Sequence, residues 1–212
     1  MLKPTVFIVD DDQGMRDSLQ RILVSMHLQV ETFASAEEFL SKFDPARPGC
    51  LVLDMRMPGM SGMELQGKLR ERGRALPIII ITGFGDVPMA VACMKHGAID
   101  FIEKPFRAEP LLASVRRALE LDSTGRAAEQ IRDEARTKLA PLTAREKSVL
   151  DRLVLGKGVK EIAAEFGLSY KTVQTHRAHI MEKTGIDSLA ELVRVWLAAE
   201  FSERSTLTEP QP

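Results

Sequence analysis

Four short apolar runs in the first half of this 212-residue chain each end on a residue able to handle phosphate or a metal ion. Thr5-Val6-Phe7-Ile8-Val9 runs into Asp10-Asp11-Asp12, and Cys50-Leu51-Val52-Leu53 ends on Asp54. Ile78-Ile79-Ile80-Ile81 ends on Thr82, and Ile99-Asp100-Phe101-Ile102-Glu103 on Lys104-Pro105. Moving a phosphoryl group onto a carboxylate needs a nucleophile, a cation for the phosphoryl oxygens and donors for the transition-state charge. Asp54, alone at its strand end, is the natural nucleophile. The aspartate run supplies a concentrated negative field for Mg²⁺, which takes oxygen ligands and keeps several waters. Asp11 is expected to ligate it directly with Asp54, and Asp10 through water. Thr82 offers a hydroxyl donor and Lys104 a compact cation, both suited to phosphoryl oxygens. Strand-end carboxylates also cap helices, and Asp12 fits that plainer role.

These residues converge only if the strands are parallel and adjacent. Val6, Ile8, Val30, Leu51, Leu53, Ile79 and Ile81 mark strand cores rich in β-branched residues. Helical patterns lie between them at Gly14–Met26, Ala36–Phe43, Gly62–Glu71, Val87–His96 and Glu109–Leu121. Such alternation implies right-handed crossovers and an α/β, flavodoxin-like, doubly wound five-stranded parallel sheet. With strand order 2-1-3-4-5, the carboxyl ends of strands 1, 3, 4 and 5 share one crevice, where open parallel sheets bind ligands.

Beyond about residue 122 the pattern changes. Asp122-Ser123-Thr124-Gly125 leads into an Ala-, Glu- and Arg-rich stretch closed by Pro141. A solvated linker, partly helical, and a packed dimerisation helix are both open readings, Gly125 and scarce apolar positions weighing against the second. From Leu142 the pattern is all helical. Thr143-Ala144-Arg145-Glu146 fits a capping box, and Lys160–Phe166, the turn Gly167-Leu168-Ser169 and a helix from Tyr170 to Lys183 form a helix-turn-helix. A last helix is expected over Leu189–Ala199. The outer face of the second helix carries Lys171, Gln174, Thr175, Arg177 and Ala178, groups suited to base edges and phosphates in a major groove. Tyr170 and Trp196 read as packing residues. His176 and His179 lack further metal ligands and read as packing or phosphate-contact residues.

Bulk composition limits the alternatives. At 44% hydrophobic and 28% charged the chain can bury a core. The net charge of −1 gives no support for a uniformly polyanion-binding protein, so any nucleic-acid surface must be local. From Pro141 to Ile186 eight Lys/Arg oppose five Asp/Glu, so one copy should bind DNA weakly, with strong salt dependence, and pairing of two copies becomes a physical requirement. The two cysteines, Cys50 and Cys93, read as inert buried thiols. No apolar run approaches the roughly 20 residues of a membrane span. A cytoplasmic protein without a membrane partner is expected.

At Asp10-Asp11-Asp12, Asp54-Met55-Arg56-Met57-Pro58-Gly59, Thr82-Gly83 and Lys104-Pro105-Phe106, the chain resembles the receiver domain of two-component response regulators. The resemblance implies that Asp54 accepts phosphate from a sensor histidine kinase and that the Arg56 backbone carbonyl completes the Mg²⁺ ligands. It also implies a cis Lys104-Pro105 bond, and places Arg56 and Phe84 where receivers tune phosphoryl lifetime. The bulk of Phe84 is then expected to hinder in-line attack by water, and Gly83 to let the phosphoryl group approach. Phe101 resembles the family's aromatic switch partner of Thr82, though plain core remains open. Val91, Lys95 and the face around Ala98 would then form a dimer surface.

The second half resembles the LuxR-type helix-turn-helix of FixJ- and NarL-type regulators over roughly residues 139–200. The carried pattern is Leu142-Thr143-x-Arg145-Glu146, Lys160-Glu161-Ile162-Ala163 and Ser169-x-Lys171-Thr172-Val173-x-Thr175-His176. By that resemblance Gln174, Thr175 and Ala178 face bases, while Lys171, Thr172 and Arg177 face phosphates. The expected organisation is a receiver over 1–121, a helical linker over 122–138, an all-α DNA-binding domain over 139–201 and a flexible tail over 202–212. Implied partners are the kinase, double-stranded DNA and a second copy on activation, with RNA polymerase a further candidate. Two other classes stay open: a phosphohydrolase using the Asp54 site, against which no substrate cap is visible, and a phosphorylation-independent nucleic-acid binder with a vestigial receiver.

Overall fold

The computed structural model describes residues 3–71, 76–83 and 87–200. The chain divides into two compact units, one ending at Arg126 and the other beginning at Ala127. In the first, five parallel strands, β1 (Thr5–Val9), β2 (Gln29–Phe33), β3 (Gly49–Asp54), β4 (Ile78–Thr82) and β5 (Asp100–Glu103), stand in the order β2-β1-β3-β4-β5. Helices α1 (Gln13–Ser25), α2 (Ala36–Lys42), α3 (Gly62–Glu71), α4 (Val87–Lys95) and α5 (Ala108–Leu139) complete the crossovers. The flavodoxin-like doubly wound sheet is the expected one.

Side-chain alternation along the strands builds two cores. Phe7, Val9, Leu51, Leu53, Ile78 and Ile80 point to one face, with Phe39, Leu65, Leu69 and Cys93 from α2, α3 and α4. Val6, Ile8, Cys50, Val52, Ile79 and Ile81 point to the other, with Leu19 and Leu23 of α1 and Leu111, Val115 and Ala118 of α5. Burial on both faces explains why these strands read as continuous apolar runs. β2, at the edge and paired only to β1, is more exposed and more polar.

Where the sequence suggests a linker from residue 122, α5 continues unbroken to Leu139. Its Asp122 is buried and accepts from the Gly49 backbone N–H at 2.9 Å and from Arg126 Nε at 2.7 Å. Arg126 in turn donates to the carbonyls of Ala46 and Arg47. The bonds to Gly49, Ala46 and Arg47 join residues 73 to 80 apart in sequence, so no local pattern signals them.

The second unit packs α6 (Ala144–Val154), α7 (Val159–Phe166), α8 (Tyr170–Thr184) and α9 (Leu189–Glu200) around Val149, Leu150, Leu153, Ile162, Val173, Ile180, Ile186 and Leu192. The capping box at α6 is present: Thr143 Oγ1 accepts from the Glu146 N–H, and the Glu146 carboxylate accepts from the Thr143 N–H. Ser169 caps α8 on the Thr172 N–H at 3.0 Å. Gly167, at φ 63°, ends α7 in the left-handed conformation that spares glycine a Cβ clash, and turns the chain into α8.

Candidate functional site

Strand geometry carries four polar groups to one end of the sheet. Asp54 is the last residue of β3 and only 5% exposed; Asp10, one residue past β1, is 1% exposed. Thr82 ends β4, buried, and Lys104 follows β5, its N–H donating to the Thr82 carbonyl at 2.8 Å. The Lys104 ammonium bridges the two aspartates, 2.7 Å from Asp10 Oδ2 and 2.7 Å from Asp54 Oδ1. The outer oxygens are also held: Asp10 Oδ1 accepts from the Asp12 N–H and Asp54 Oδ2 from the Arg56 N–H, each at 2.8 Å. Lys104-Pro105 is cis.

Burial pushes the Asp54 carboxyl above its ordinary range, and the Asp10 charge adds to that. The Lys104 hydrogen bond and charge, with the Arg56 amide, act in the opposite sense. Burial would lower the Lys104 ammonium, but its bonds to Asp10 and Asp54 and their charges outweigh it and raise it. Two buried carboxylates thus face one ammonium, leaving negative charge unbalanced. The carboxylates at this end of the sheet are Asp10 and Asp54, with Asp11, next in sequence, exposed. Among the described residues no three His, Cys, Asp or Glu side chains converge as a metal cluster. An ion there would complete its shell with carbonyl oxygen and water, which suits Mg²⁺ and no softer metal.

Asp12 takes the capping role, accepting from the Met15 N–H at 3.0 Å at the start of α1. Gly62 opens α3 where sequence reading saw only a helix start. A Cβ there would lie 2.4 Å from the Asp54 carbonyl oxygen and 3.0 Å from Met55 Cα, so the helix presses directly on the backbone at the end of β3.

In the second unit α8 presents Lys171, Gln174, Thr175 and Ala178 to solvent, with Thr172 and Arg177 half-buried. Its inner side buries Val173, Ile180 and Thr184. Thr172 Oγ1 is 2.8 Å from the capping Ser169 hydroxyl, and Thr175 Oγ1 donates back to the Lys171 carbonyl at 3.0 Å.

Two family models match the chain: the response regulator receiver domain over residues 6–116 and the luxR family of bacterial regulatory proteins over residues 140–196. The chain is 45% identical to the transcriptional regulatory protein FixJ of Azorhizobium caulinodans, over 92% of each chain. It is 43% identical to the transcriptional regulatory protein TdiR of Thauera aromatica, over 89% of this chain and 83% of that one. The solved response regulator StyR matches with a TM-score of 0.79 at 45% identity, covering 92% of this chain and 98% of the other. This chain belongs to the LuxR-type response regulators.

Membership makes it a two-component transcription regulator with a DNA-binding output domain. Within that frame several expectations change. On the face expected to pair, Val91 is 47% exposed and Lys95 is exposed, while Ala98 itself is 6% exposed and packs in the sheet core. Among the described residues, nothing apart from its chain neighbours lies within 4 Å of a Cβ added at Gly83. Phe101 is half-buried against the α2–α3–α4 core and pairs in register with Ile80. Phe84 lies outside the described residues. Tyr170, read as packing, is 49% exposed at the start of α8. Trp196 does pack on the second core, and its Nε1–H also donates to Asp151 Oδ1 at 2.9 Å.

Proposed function

We propose that Asp54 is the phosphoacceptor of this regulator and that its phosphorylation controls pairing of two copies on DNA. The observation that supports this most is the Lys104 ammonium held between Asp54 and Asp10 at 2.7 Å each. A carboxylate oxygen of Asp54 attacks phosphorus; the new O–P bond forms as the N–P bond of a kinase phosphohistidine breaks, and the imidazole leaves with the electron pair. Lys104 works against the effect of burial on the Asp54 carboxyl and, bonded to it at 2.7 Å, stands beside the oxygen that would attack. Thr82, buried at the same strand-end level, donates its hydroxyl to a second oxygen. Mg²⁺, held by Asp11, Asp54 and the Arg56 carbonyl with Asp10 through water, would neutralise phosphoryl charge.

Thr82 moving toward the phosphoryl group changes the space beside Phe101, which gives the α4–β5–α5 face two packings and the second unit its signal. The DNA contacts are Gln174, Thr175 and Ala178 toward bases and Lys171, Thr172 and Arg177 toward phosphates. In domain terms, residues 1–121 are the receiver, 122–138 the helical connection, 139–201 the DNA-binding domain and 202–212 a tail. The receiver's own phosphorylation and dephosphorylation are the only reactions assigned to the chain, whose family is otherwise non-enzymatic. A site on DNA implies a cytoplasmic protein, and RNA polymerase is a natural further partner.

The test is DNA affinity and oligomeric mass for wild type and Asp54→Ala, each with and without acetyl phosphate and Mg²⁺. Tighter binding and dimerisation on phosphodonor addition are expected in wild type alone. Equal behaviour of all four samples overturns the reading.

A further inference from the structure

We infer that Tyr170 is a specificity-positioning residue: it fixes the Gln174 amide so that α8 reads an adenine with it. This rests on the proposal that α8 is the DNA-reading helix. Gln174 Nε2 donates to the Tyr170 phenol oxygen at 2.9 Å, between two exposed side chains one helical turn apart. Tyr170, Gln174 and Ala178 recur every four residues and so form one stripe on the solvent side of α8, away from buried Val173, Ile180 and Thr184. A phenol ring exposed to 49% is not part of the domain core, and its oxygen has a specific partner on the stripe that faces DNA.

The chemistry of the amide says which base this favours. Adenine offers N7 as acceptor and N6–H as donor in the major groove, and glutamine matches both with its carbonyl oxygen and one N–H. That pairing uses the N–H beside the carbonyl oxygen. The second N–H, on the far side of the nitrogen, is left over, and it is the one Tyr170 can take without competing. The bond therefore holds the amide plane of a side chain that would otherwise lose several rotors on binding. Guanine, with two acceptors on that edge, leaves the Gln174 carbonyl oxygen without a donor.

A bidentate pair of this kind discriminates by about 5- to 150-fold, and ordering one such side chain in advance is worth a factor of about 2 to 12. The experiment is a binding selection with the full chain, acetyl phosphate and Mg²⁺, from duplexes randomised over about 20 base pairs, enough for two half-sites. Wild type, Tyr170→Phe and Gln174→Ala are compared. Wild type is expected to enrich one adenine per half-site that Gln174→Ala no longer selects. Tyr170→Phe keeps the ring and loses only the hydroxyl, so it should reduce the preference at that adenine by about 2- to 12-fold and leave every other position unchanged. An unchanged preference in Tyr170→Phe, or a Gln174-dependent position that is not adenine, overturns the inference. If wild type enriches no sequence at all, the DNA-reading role of α8 fails first and takes this inference with it.

Discussion

Lys183 Nζ donates to both carboxylate oxygens of Glu146, at 2.9 and 2.8 Å, and so ties the last turn of α8 to the first turn of α6. The same carboxylate accepts the Thr143 N–H and hydroxyl. Lys183, then the Thr143 amide, hold the Glu146 carboxyl at about 2, well below its ordinary 4.5.

The pH dependence follows from the sign of that shift. A carboxyl whose pKa is lower in the folded state contributes its full stabilisation above the unfolded value, and loses it as pH falls through the folded one. The second domain should therefore lose stability as pH drops from about 4.5 to about 2. Glu146→Gln should flatten this part of the profile. Urea midpoints at stepped pH, read by Trp196 fluorescence, check it; equal pH slopes in the two proteins would exclude Glu146 as the source.

Around Lys104 the charge balance gives a second expectation. Removing Lys104 leaves Asp10 and Asp54 buried and facing each other without a cation. Breaking a buried pair in this way costs about 3–5 kcal/mol. Lys104→Met should thus lower the denaturation midpoint strongly, and millimolar Mg²⁺ should restore more stability to it than to wild type, since binding to the folded state stabilises by mass action. Thermal melts with and without Mg²⁺ provide the measurement. A Lys104→Met protein as stable as wild type without Mg²⁺ contradicts the charge argument.

The sheet and its site were legible because a two-sided parallel sheet buries every strand residue, turning strands into apolar runs whose next residue marks the crevice. Asp10, Asp54, Thr82 and Lys104 could be picked out for that reason alone. The length of α5 was not legible. Asp122, Gly125 and Arg126 look like a polar linker until Asp122 finds the Gly49 amide and Arg126 the Ala46 carbonyl. Tyr170 was assigned to the core because it is aromatic, although its spacing of four from Gln174 was already visible and pointed to the shared stripe.

The Asp122 contacts carry their own expectation. Asp122→Ala leaves the buried Gly49 N–H without its acceptor and removes one of the Arg126 partners, a loss of about 1–3 kcal/mol. The amides of α5 near residues 120–126 should exchange faster, while those of the β3 and β4 cores change only in step with global stability. Hydrogen exchange by mass spectrometry resolves the two cases. Uniform acceleration along the first unit would mean that the bond serves global stability alone and does not fix this part of the helix.

Two glycines of α3 separate close packing from helix propensity. At Gly62 a Cβ would meet the Asp54 carbonyl oxygen at 2.4 Å and Met55 Cα at 3.0 Å, both backbone atoms that cannot swing aside. Gly62→Ala must push α3 away from the end of β3, at a cost of about 1–3 kcal/mol typical of overpacking. At Gly67, exposed in the same helix, nothing lies within 4 Å of the added atom. Gly67→Ala should instead stabilise by about 0.5–1 kcal/mol, because alanine loses less backbone freedom in a helix. The displaced strand end also carries Asp54, so Gly62→Ala should slow phosphorylation by acetyl phosphate while Gly67→Ala leaves it unchanged. Denaturation midpoints with phosphorylation rates distinguish the variants. Similar stability changes in both would mean that helix propensity, and not contact with the Asp54 backbone, sets the behaviour of α3.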